Sequence, residues 1–397
     1  MSRQRSPGGT QSESVAGGRL HIKSVDSIKE REQFIRMPWS LYRGDRFWVP
    51  PLLYDRRQLL SPANPFFEHA SMKSWIAFRG SRPVGRISAQ IDQLHLEIVD
   101  DATGFFGLLE AEDDPEVFDL LFSTAESWLE ARGMRQIIGP FNLSINQDCG
   151  LLVDGFDSSP YFMMPHNPPY YEARIEERNY RPVKDTLAYL LDIDAEPTPA
   201  IKAVARRNAG AVRVRQADMS RLAEELEILR DIHQDAWADN WNQVPFTAEE
   251  FTQLGKDLKT LVPPQLVQIA DIDGEPAAMI VAFPNINEAI SDLNGRLLPL
   301  GWLKLLWRLK VTFTKTARVP LLGIRRKYHN SLLGASLAVA MIERAKAAGR
   351  KLGLRQIELS WILEDNQGIR NIIESLGATV HKRYRFFAGD LGGSPAK

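Results

Sequence analysis

The stretch ELSWILEDN near the end of the chain combines an apolar strand pattern with carboxylates that can accept protons. Side chains alternate along a β-strand, which predicts Ile357, Leu359 and Trp361 on one face and Glu358 and Ser360 on the other. A carboxylate on the polar face of a strand can serve as a general base, or it can form a structural ion pair. Glu358 is therefore a candidate catalytic residue, with both roles open.

The same strand ends in a polar corner, Glu364-Asp365-Asn366, which leads into a short helix and the sequence Leu-Gly-Ala. Open α/β sheets bind their ligands outside the carboxyl ends of parallel strands. Glu364 is the second candidate base, and an ion pair is again the alternative. Asn366 is placed either to bond a ligand or to cap the short helix.

An anion site is predicted where the long helix begins after strand 319–324. A helix N-terminus has free N–H groups and the positive end of the helix dipole, which together attract anions. Three basic residues stand directly before this helix, and a glycine allows the backbone to approach a ligand closely. The residues assigned to the site are Gly323, Ile324, Arg325, Arg326, Lys327, Ser331, Gly334, Ala335 and Ser336.

The central segment 139–180 is rich in Asn, Gly, Pro and aromatic residues and is predicted to be a long structured loop. Such loops often carry function, although the aromatic and Met pairs of this one could simply pack beneath it. Amide and hydroxyl groups with an adaptable Met and Tyr wall suit a binding surface. The substrate-binding candidates are Asn142, Ser144, Asn146, Met164, Tyr170, Tyr171, Trp241 and Trp361.

A basic and apolar segment, 295–318, contains six Lys or Arg residues, Arg318 among them, and no acid. Leu, Trp and cationic side chains in this arrangement are typical of a helix that lies in a membrane interface. The alternative is a buried helix whose long basic side chains reach the surface. The first interpretation predicts a membrane contact through 297–310 and a lipid substrate.

Two similar halves position these residues. Each half shows the order helix, hairpin, strand, long helix, strand, helix and strand, which predicts an α/β fold in two tandem domains, with one large α/β domain as the alternative. The predicted organisation is a disordered leader (1–18), a first domain (19–195), a second domain (196–391) and a tail (392–397).

The composition of the chain limits which partners, metals and cellular locations are expected. The 397 residues have a formal net charge of −1, which does not point to nucleic acid as a partner. The single cysteine, Cys149, excludes an internal disulfide and argues against a Cys-based zinc site, so no metal is predicted. No apolar run is long enough to span a membrane as a helix. The low cysteine content fits a reducing cytosol, which predicts a cytoplasmic location, peripheral on the inner face of the inner membrane if 297–310 binds lipid.

The order from strand 319–324 through the long helix to Asn366 and IIESLGA resembles the acyl-CoA-binding half of the GNAT (GCN5-related N-acetyltransferase) superfamily. The resemblance implies mixed, mostly antiparallel sheets in which two parallel strands splay apart around the pantetheine arm. It departs from the family pattern at Ser331, where a basic residue is expected. The first half has the acidic loop EAEDDPE at the equivalent place, which would repel a pyrophosphate.

The segments GPFNLSINQDCGLLVDGF, PPYY, NWNQVPFT and ELSWILEDN resemble a family of tandem-GNAT proteins that includes the bacterial ceramide synthase. This implies transfer of a long acyl group from acyl-CoA or acyl carrier protein to the amine of a lipid such as a sphingoid base. Glu358 or Glu364 would accept the proton, and Tyr328 or His329 would polarise the carbonyl or return a proton. Alternatives are acylation of a soluble amine or peptide, and a non-catalytic acyl-CoA or lipid-binding protein.

Overall fold

A computed structural model describes residues 18–207 and 210–392. The predicted leader lies outside these residues except for its last position, and the predicted tail lies outside them after its first. The strands and helices below therefore belong to the two described ranges.

The first half contains strands β1 (Leu20–Ser24), β2 (Ala70–Arg79), β3 (Arg82–Asp92), β4 (Thr103–Ala111), β5 (Gln136–Gly139), β6 (Leu151–Asp154) and β7 (Arg181–Asp192). Its helices are α1 (Ile28–Arg36), α2 (Pro38–Leu41), α3 (Leu53–Leu59), α4 (Gln93–Val99), α5 (Pro115–Glu130) and α6 (Tyr171–Glu176).

The second half contains strands β8 (Val212–Gln216), β9 (Val267–Ile272), β10 (Glu275–Pro284), β11 (Thr316–Ile324), β12 (Gln356–Leu363) and β13 (Thr379–Asp390). Its helices are α7 (Pro199–Arg207), α8 (Leu222–Trp237), α9 (Ala248–Leu261), α10 (Ile286–Ile290), α11 (Gly301–Trp307), α12 (Leu332–Leu352) and α13 (Gln367–Ser375). A π-helical turn, Arg308–Thr312, continues α11.

Within the described residues one mixed sheet of thirteen strands runs through both halves, in the order β1-β2-β3-β4-β5-β13-β7-β12-β11-β10-β9-β8, with β6 paired to β13. The order is nearly symmetric, because each half contributes five strands that run from its outer edge towards the centre. The paired strands in this order are antiparallel except for β4 with β5 and β11 with β12. The predicted α/β class and its mostly antiparallel sheet are confirmed.

The last strand of each half crosses into the other. Strand β7 of the first half pairs with β12, and β13 of the second half pairs with β5. The two crossed strands also pair with each other from Thr379 to Ala388. Neither half therefore completes its sheet alone, and the division at residues 195 and 196 stays a prediction.

Each half buries one face of its sheet under a long amphipathic helix. Helix α5 covers the first half and begins at Asp114, whose side chain accepts a hydrogen bond from the N–H of Glu116. Helix α12 covers the second half and ends at Gly353, which has a φ of +81° suited to a helix C-terminus. No helix in the described ranges is both long enough and apolar enough to cross a membrane.

Candidate functional site

Strands β11 and β12 separate after only a short parallel pairing. Thr316–Val319 pairs with Gln356–Leu359, and both strands then continue without pairing to each other. Strand β12 follows β7 instead, with a register irregularity between Leu359 and Ile362. The splayed parallel pair expected from the sequence is therefore present, and a cleft opens between the two strands.

The cleft between the diverging strands encloses a cavity of about 120 Å³. Pro320 and Leu321 of β11 face Trp361 and Leu363 of β12 across it. Further walls come from Asn146, Gln147, Cys149 and Met163 of the central loop and from His233, Trp237 and Trp241 of the second half. The candidate site therefore combines both halves of the chain.

Three buried polar atoms at the cleft have no hydrogen-bond partner among the described residues: Thr186 Oγ1, His233 Nδ1 and Trp361 Nε1. An unsatisfied buried donor or acceptor costs about 1–3 kcal/mol, so its presence at a cavity is informative. Burial lowers the pKa of His233 to about 4, which keeps its imidazole neutral at ordinary pH. The cleft can thus offer three hydrogen bonds to a ligand that has amide or hydroxyl groups.

Cys149 borders the same cleft but is poorly suited to act as a nucleophile. The residue is buried, and burial raises the pKa of its thiol well above the ordinary value. The thiolate is the reactive form of cysteine, so this thiol stays unreactive. The geometry therefore favours direct attack on a bound ligand over a covalent enzyme intermediate, as expected from the sequence.

The predicted anion site lies at the start of α12. Ser331 caps the helix, since its Oγ accepts a hydrogen bond from the N–H of Gly334 at 3.0 Å. A Cβ added to Gly334 would stand 2.1 Å from the carbonyl oxygen of Tyr328, so only glycine fits there. Ser336 turns away from this turn and donates to the carbonyl of Val204 at 2.9 Å. Ala335 is half-buried between them.

The basic residues before α12 are held by carboxylates. Arg325 pairs with Asp231, Arg326 pairs with Asp235 and Asp239, and Lys327 pairs with Glu275 at 3.0 Å. These side chains would contact a phosphate only after leaving their ion pairs. Gly323 packs against Trp237, where an added Cβ would stand 2.5 Å from the indole ring, and Ile324 is half-buried beside it.

Tyr328 and His329 lie in the same turn, at the far end of β11 from Arg318. Six residues of strand separate Arg318 from Ile324, which corresponds to roughly 20 Å. Nε2 of His329 hydrogen-bonds the carbonyl of Ile324 at 2.7 Å, and Lys327 lies over the Tyr328 ring. The structure therefore does not bring these two residues together with Glu358.

Glu358 is fully buried at the centre of a charged network. Its carboxylate accepts a hydrogen bond from Ser360 at 2.7 Å and lies 2.8 Å from Nε2 of His381. The guanidinium of Arg318 bonds Ser360 at 2.8 Å and lies 3.9 Å from Glu358. His381 is 16% exposed, so the chain from Ser360 through Glu358 to His381 connects the interior with solvent.

Arg318 links this network to the cleft, which it also lines. Its side chain is 2% exposed and donates hydrogen bonds to the carbonyls of Phe162 and Met163 in the central loop. Arg318, the last of the six basic residues in segment 295–318, lies outside the predicted membrane contact and is buried in β11. Lys382 is buried nearby, where its ammonium bonds the carbonyls of Gly155 and Ser158 and burial lowers its pKa.

Trp361 departs from the predicted alternation of β12. Its ring centroid is 5.1 Å from the Arg318 guanidinium, which also bonds Ser360. The irregularity after Leu359 turns Trp361 towards the cleft, so its predicted grouping with Ile357 and Leu359 is wrong.

Glu364 and Asn366 lie at the polar corner and make structural contacts. The Glu364 carboxylate accepts a hydrogen bond from the N–H of Asp185 at 3.2 Å and is 4.0 Å from Arg383. Oδ1 of Asn366 accepts from the N–H of Ile369 at 3.3 Å and caps α13. Of the two roles foreseen for Asn366, the capping role is the one its geometry shows.

In the first half, the central loop lies at the equivalent divergence between β4 and β5. The N–H of Phe141 bonds the carbonyl of Phe106 at 2.7 Å, and Oδ1 of Asn142 accepts from the N–H of Leu108 at 2.7 Å. Gln90 holds the loop in place through the carbonyls of Phe141 and Leu143. Asn142 therefore bridges to β4 next to the point where the strands diverge, and an open cavity lies beyond it, lined by Leu109, Glu110 and Asn142 itself.

The remaining substrate-binding candidates divide between the cleft and the core. Asn146 and Trp241 line the cleft, and Nδ2 of Asn146 donates to the carbonyl of Val244 at 3.0 Å. Met164 lies behind the cleft, 3.5 Å from Oγ of Ser360. Oγ of Ser144 accepts a hydrogen bond from the N–H of Asn146 within the loop.

The hydrogen bonds of Tyr170 and Tyr171 do not involve Glu358 or its partners. Their hydroxyls bond the backbone of Ala111, and that of Tyr171 also bonds Glu110 at 3.1 Å. Burial raises the pKa of both phenols, so neither ionises readily.

Sequence reasoning missed Thr186, His233, Arg318 and His381 as site residues. A histidine within the apolar stripe of α8 and an arginine directly before the apolar run Val-Pro-Leu-Leu of β11 are the available signals for two of them. Thr186 and His381 give no such signal, because strand exchange brings them to the site. Among the described residues, no group of three or more His, Cys, Asp or Glu side chains is arranged to hold a metal ion.

The fold matches solved tandem GNAT proteins. A tandem GNAT protein from the clavulanic acid biosynthesis pathway superposes with a TM-score of 0.55 at 13% identity, over 95% of this chain and 100% of that one. This likeness defines the fold class, and the predicted tandem GNAT architecture is confirmed. No protein-family model matches the sequence.

Two relatives match nearly the whole chain. Protein YghO of Escherichia coli is 46% identical over 367 residues, which cover 92% of this chain and 94% of the relative. The bacterial ceramide synthase of Caulobacter vibrioides is 45% identical over 371 residues, 93% of this chain and 97% of the relative. The chain belongs to the family of the bacterial ceramide synthase, and the predicted N-acyltransferase class is confirmed.

Proposed function

We propose that this protein transfers a long-chain acyl group from acyl-CoA, or from acyl carrier protein, to the primary amine of a lipid such as a sphingoid base. The observation that carries the proposal is the cleft beyond Val319 and Leu359, with its three unpartnered polar atoms. The name of the Caulobacter relative supports the choice of a lipid amine as acceptor.

In this proposal the donor lies in the second half only. The pantetheine arm enters between β11 and β12, where its amides can bond Thr186 Oγ1 and Trp361 Nε1. The pyrophosphate rests on the turn before α12, where Gly334 permits close approach of the backbone. In the first half, Phe141 and Asn142 bond to β4 where the strands diverge, and the acidic loop EAEDDPE precedes α5, which together support a donor site in one half alone.

The chemistry forms one C–N bond and breaks one C–S bond. The acceptor enters as an ammonium and must lose a proton before its nitrogen can attack the thioester carbonyl. Glu358 accepts that proton through Ser360 and passes it to His381 and solvent. The tetrahedral intermediate then releases the CoA thiolate, which takes the second nitrogen proton. His233, neutral because of its low pKa, orients the reactants by hydrogen bonding.

The reaction is tested by mass spectrometry of the lipid product. The protein is mixed with sphinganine and either palmitoyl-CoA or palmitoyl carrier protein, and thiol release is measured in parallel. Leu321→Trp should fill the cleft and abolish amide formation, whereas Val380→Trp at an exposed site should not. Donor binding without thiol release or amide formation would contradict the proposal. If only short soluble amines are acylated, the acceptor is a soluble amine and not a lipid.

The exposed face of 297–310 supports attachment to a membrane surface, on the cytoplasmic face of the inner membrane. The large hydrophobic side chains exposed there and next to it are Leu298, Leu300, Trp302, Leu303, Leu306, Trp307 and Val311. Arg296, Lys310 and Lys315 are exposed around them, while Lys304 and Arg308 pair with Asp292. Each free cation near an anionic lipid surface contributes ~1 kcal/mol.

Flotation with anionic vesicles tests this surface. The double variant Leu306→Ser/Trp307→Ser should lose vesicle binding, and a matched pair of exposed apolar residues elsewhere, Ile98→Ser/Val99→Ser, should retain it. Equal flotation of both double variants would remove the membrane contact from the proposal.

A further inference from the structure

A second and larger cavity, of about 640 Å³, lies beside the acyl cleft. Its walls come mainly from the first half, and the second half adds Gln253, Leu261, Asn287 and Ile290. The volume falls within the range of small-molecule sites, roughly 300–1,000 Å³. Three of the substrate-binding candidates from the sequence, Asn142, Met164 and Tyr171, line this cavity, and the donor does not use it.

One short segment separates the two cavities. Ile145, Asn146 and Cys149 face the cleft, whereas Asp148 and Gly150 face the second cavity. Gln147 and Met163 border both. A group bound at Asp148 therefore lies one side chain away from the cleft.

The second cavity has both acidic and basic groups in its lining. Asp55, Glu110 and Asp148 stand with Arg56 and Arg86, and burial raises the pKa of Asp55 and of Glu110. Glu110 is already bonded by Tyr42 at 2.7 Å and by Tyr171 at 3.1 Å.

Asp148 is less completely satisfied. Its Oδ2 accepts one long hydrogen bond, 3.3 Å, from Arg56, and its Oδ1 has no hydrogen-bond partner among the described residues. Asp148 is therefore a carboxylate available to an incoming cation, and of the three in the lining it is the one whose neighbours in sequence, Gln147 and Cys149, line the cleft.

The far wall of the second cavity is apolar and continues into the exposed segment 297–310. Val49, Leu52, Leu261 and Ile290 line the cavity and pack in one cluster with Leu297, Leu305 and Leu309. The outer side of that segment carries the exposed Leu and Trp side chains described above. An apolar route thus joins the proposed membrane surface to the cavity.

We propose that the second cavity binds the acceptor, a long-chain primary amine, with its ammonium at Asp148 and its hydrocarbon chain along Val49, Leu52 and Ile290. This inference rests on the proposed N-acyltransferase function and adds the place and polarity of acceptor binding. The amine reaches the thioester past Gln147 and Met163, while the chain extends towards segment 297–310.

Equilibrium binding of radiolabelled sphinganine to the full chain, without any acyl donor, tests the inference. Asp148→Asn should weaken sphinganine binding by about tenfold or more, because it removes a charge-assisted contact. Asp194→Asn, which breaks an exposed Asp–Arg pair with Arg350, is the matched control and should bind as the native protein does. Thermal stabilisation by palmitoyl-CoA should be the same in all three.

A second variant keeps the test valid if Asp148→Asn fails to fold. Gln253 is an exposed residue that lines the cavity, so Gln253→Trp should narrow the chain route without disturbing the core. It should weaken binding of sphinganine while leaving that of octylamine unchanged. Native sphinganine binding by both Asp148→Asn and Gln253→Trp would overturn the inference even if amide formation is observed. Binding that depends on Asp148 in a protein that forms no amide would uphold it and reject the proposed reaction.

Discussion

Replacing Glu358 by Gln should both destabilise the protein and stop proton transfer. The substitution keeps the shape of the side chain but removes the negative charge that faces Arg318 at 3.9 Å. Both residues are almost completely buried, at 0% and 2% exposure, so the remaining guanidinium cannot recruit water. Loss of one partner from a buried ion pair costs about 3–5 kcal/mol of unfolding free energy.

A double-mutant cycle separates the charge from other contacts of the pair. Arg318→Met alone should also be destabilising, since it leaves Glu358 buried and gives up bonds to Phe162 and Met163. The double variant removes both charges and should cost about 2 kcal/mol less than the sum of the two single changes. Urea unfolding supplies the three free-energy differences.

Activity is measured on the same variants at a temperature where each is folded. Glu358→Gln should lower kcat for amide formation by roughly 10²–10⁴-fold, the usual contribution of a general base. Glu343→Gln, which removes the exposed partner of the buried Lys346, is the control for loss of a pairing carboxylate and should keep kcat. The ion pair would be refuted if Glu358→Gln is as stable as the native protein, or if the free-energy changes of the two single variants add up to that of the double variant. Native kcat would refute the proton route.

Two further predictions concern pH and the phosphate turn. Burial lowers the pKa of His69, but Asp92 and Glu250 outweigh it and raise the pKa to about 9, so the protonated form stabilises the fold. The raised pKa contributes about 3 kcal/mol to the free energy of unfolding. This contribution is fully present below pH 6.5 and is lost as the pH rises towards 9. The excess unfolding free energy of the native protein over His69→Gln should fall accordingly, and a pH-independent difference would contradict it. Gly334→Ala should weaken palmitoyl-CoA binding at least tenfold, because the added methyl group forces the turn before α12 apart. Gly368→Ala, in an uncrowded part of α13, is the control and should keep the native affinity. Equal affinities of the two variants would argue against phosphate binding at this turn.

Local sequence patterns predicted the elements that position the donor site. The long helix α12 begins after β11 as the sequence predicted, with Ser331 and Gly334 at its start. Such features depend on neighbours in sequence, so a periodicity or a cap is sufficient to find them.

The arrangement of the site depended on contacts that no local pattern encodes. Thr186 and His381 reach the cleft and the charged network because β7 and β13 cross between halves, and pairing between distant strands leaves no periodic signature. Arg318 belongs to a basic stretch of sequence that gave no sign of a buried partner, yet the register of β11 places it opposite Glu358. The register irregularity in β12 turns Trp361 to the face opposite the one that strict alternation predicts.

A structure of the protein with a non-reactive thioether analogue of palmitoyl-CoA would show directly whether the acyl donor binds between β11 and β12. We expect the pantetheine arm between Leu321 and Trp361, its amides bonded to Thr186 Oγ1 and Trp361 Nε1, and the diphosphate at Gly334. A complex in which the analogue binds elsewhere, with the space between these two strands unchanged, would contradict this expectation.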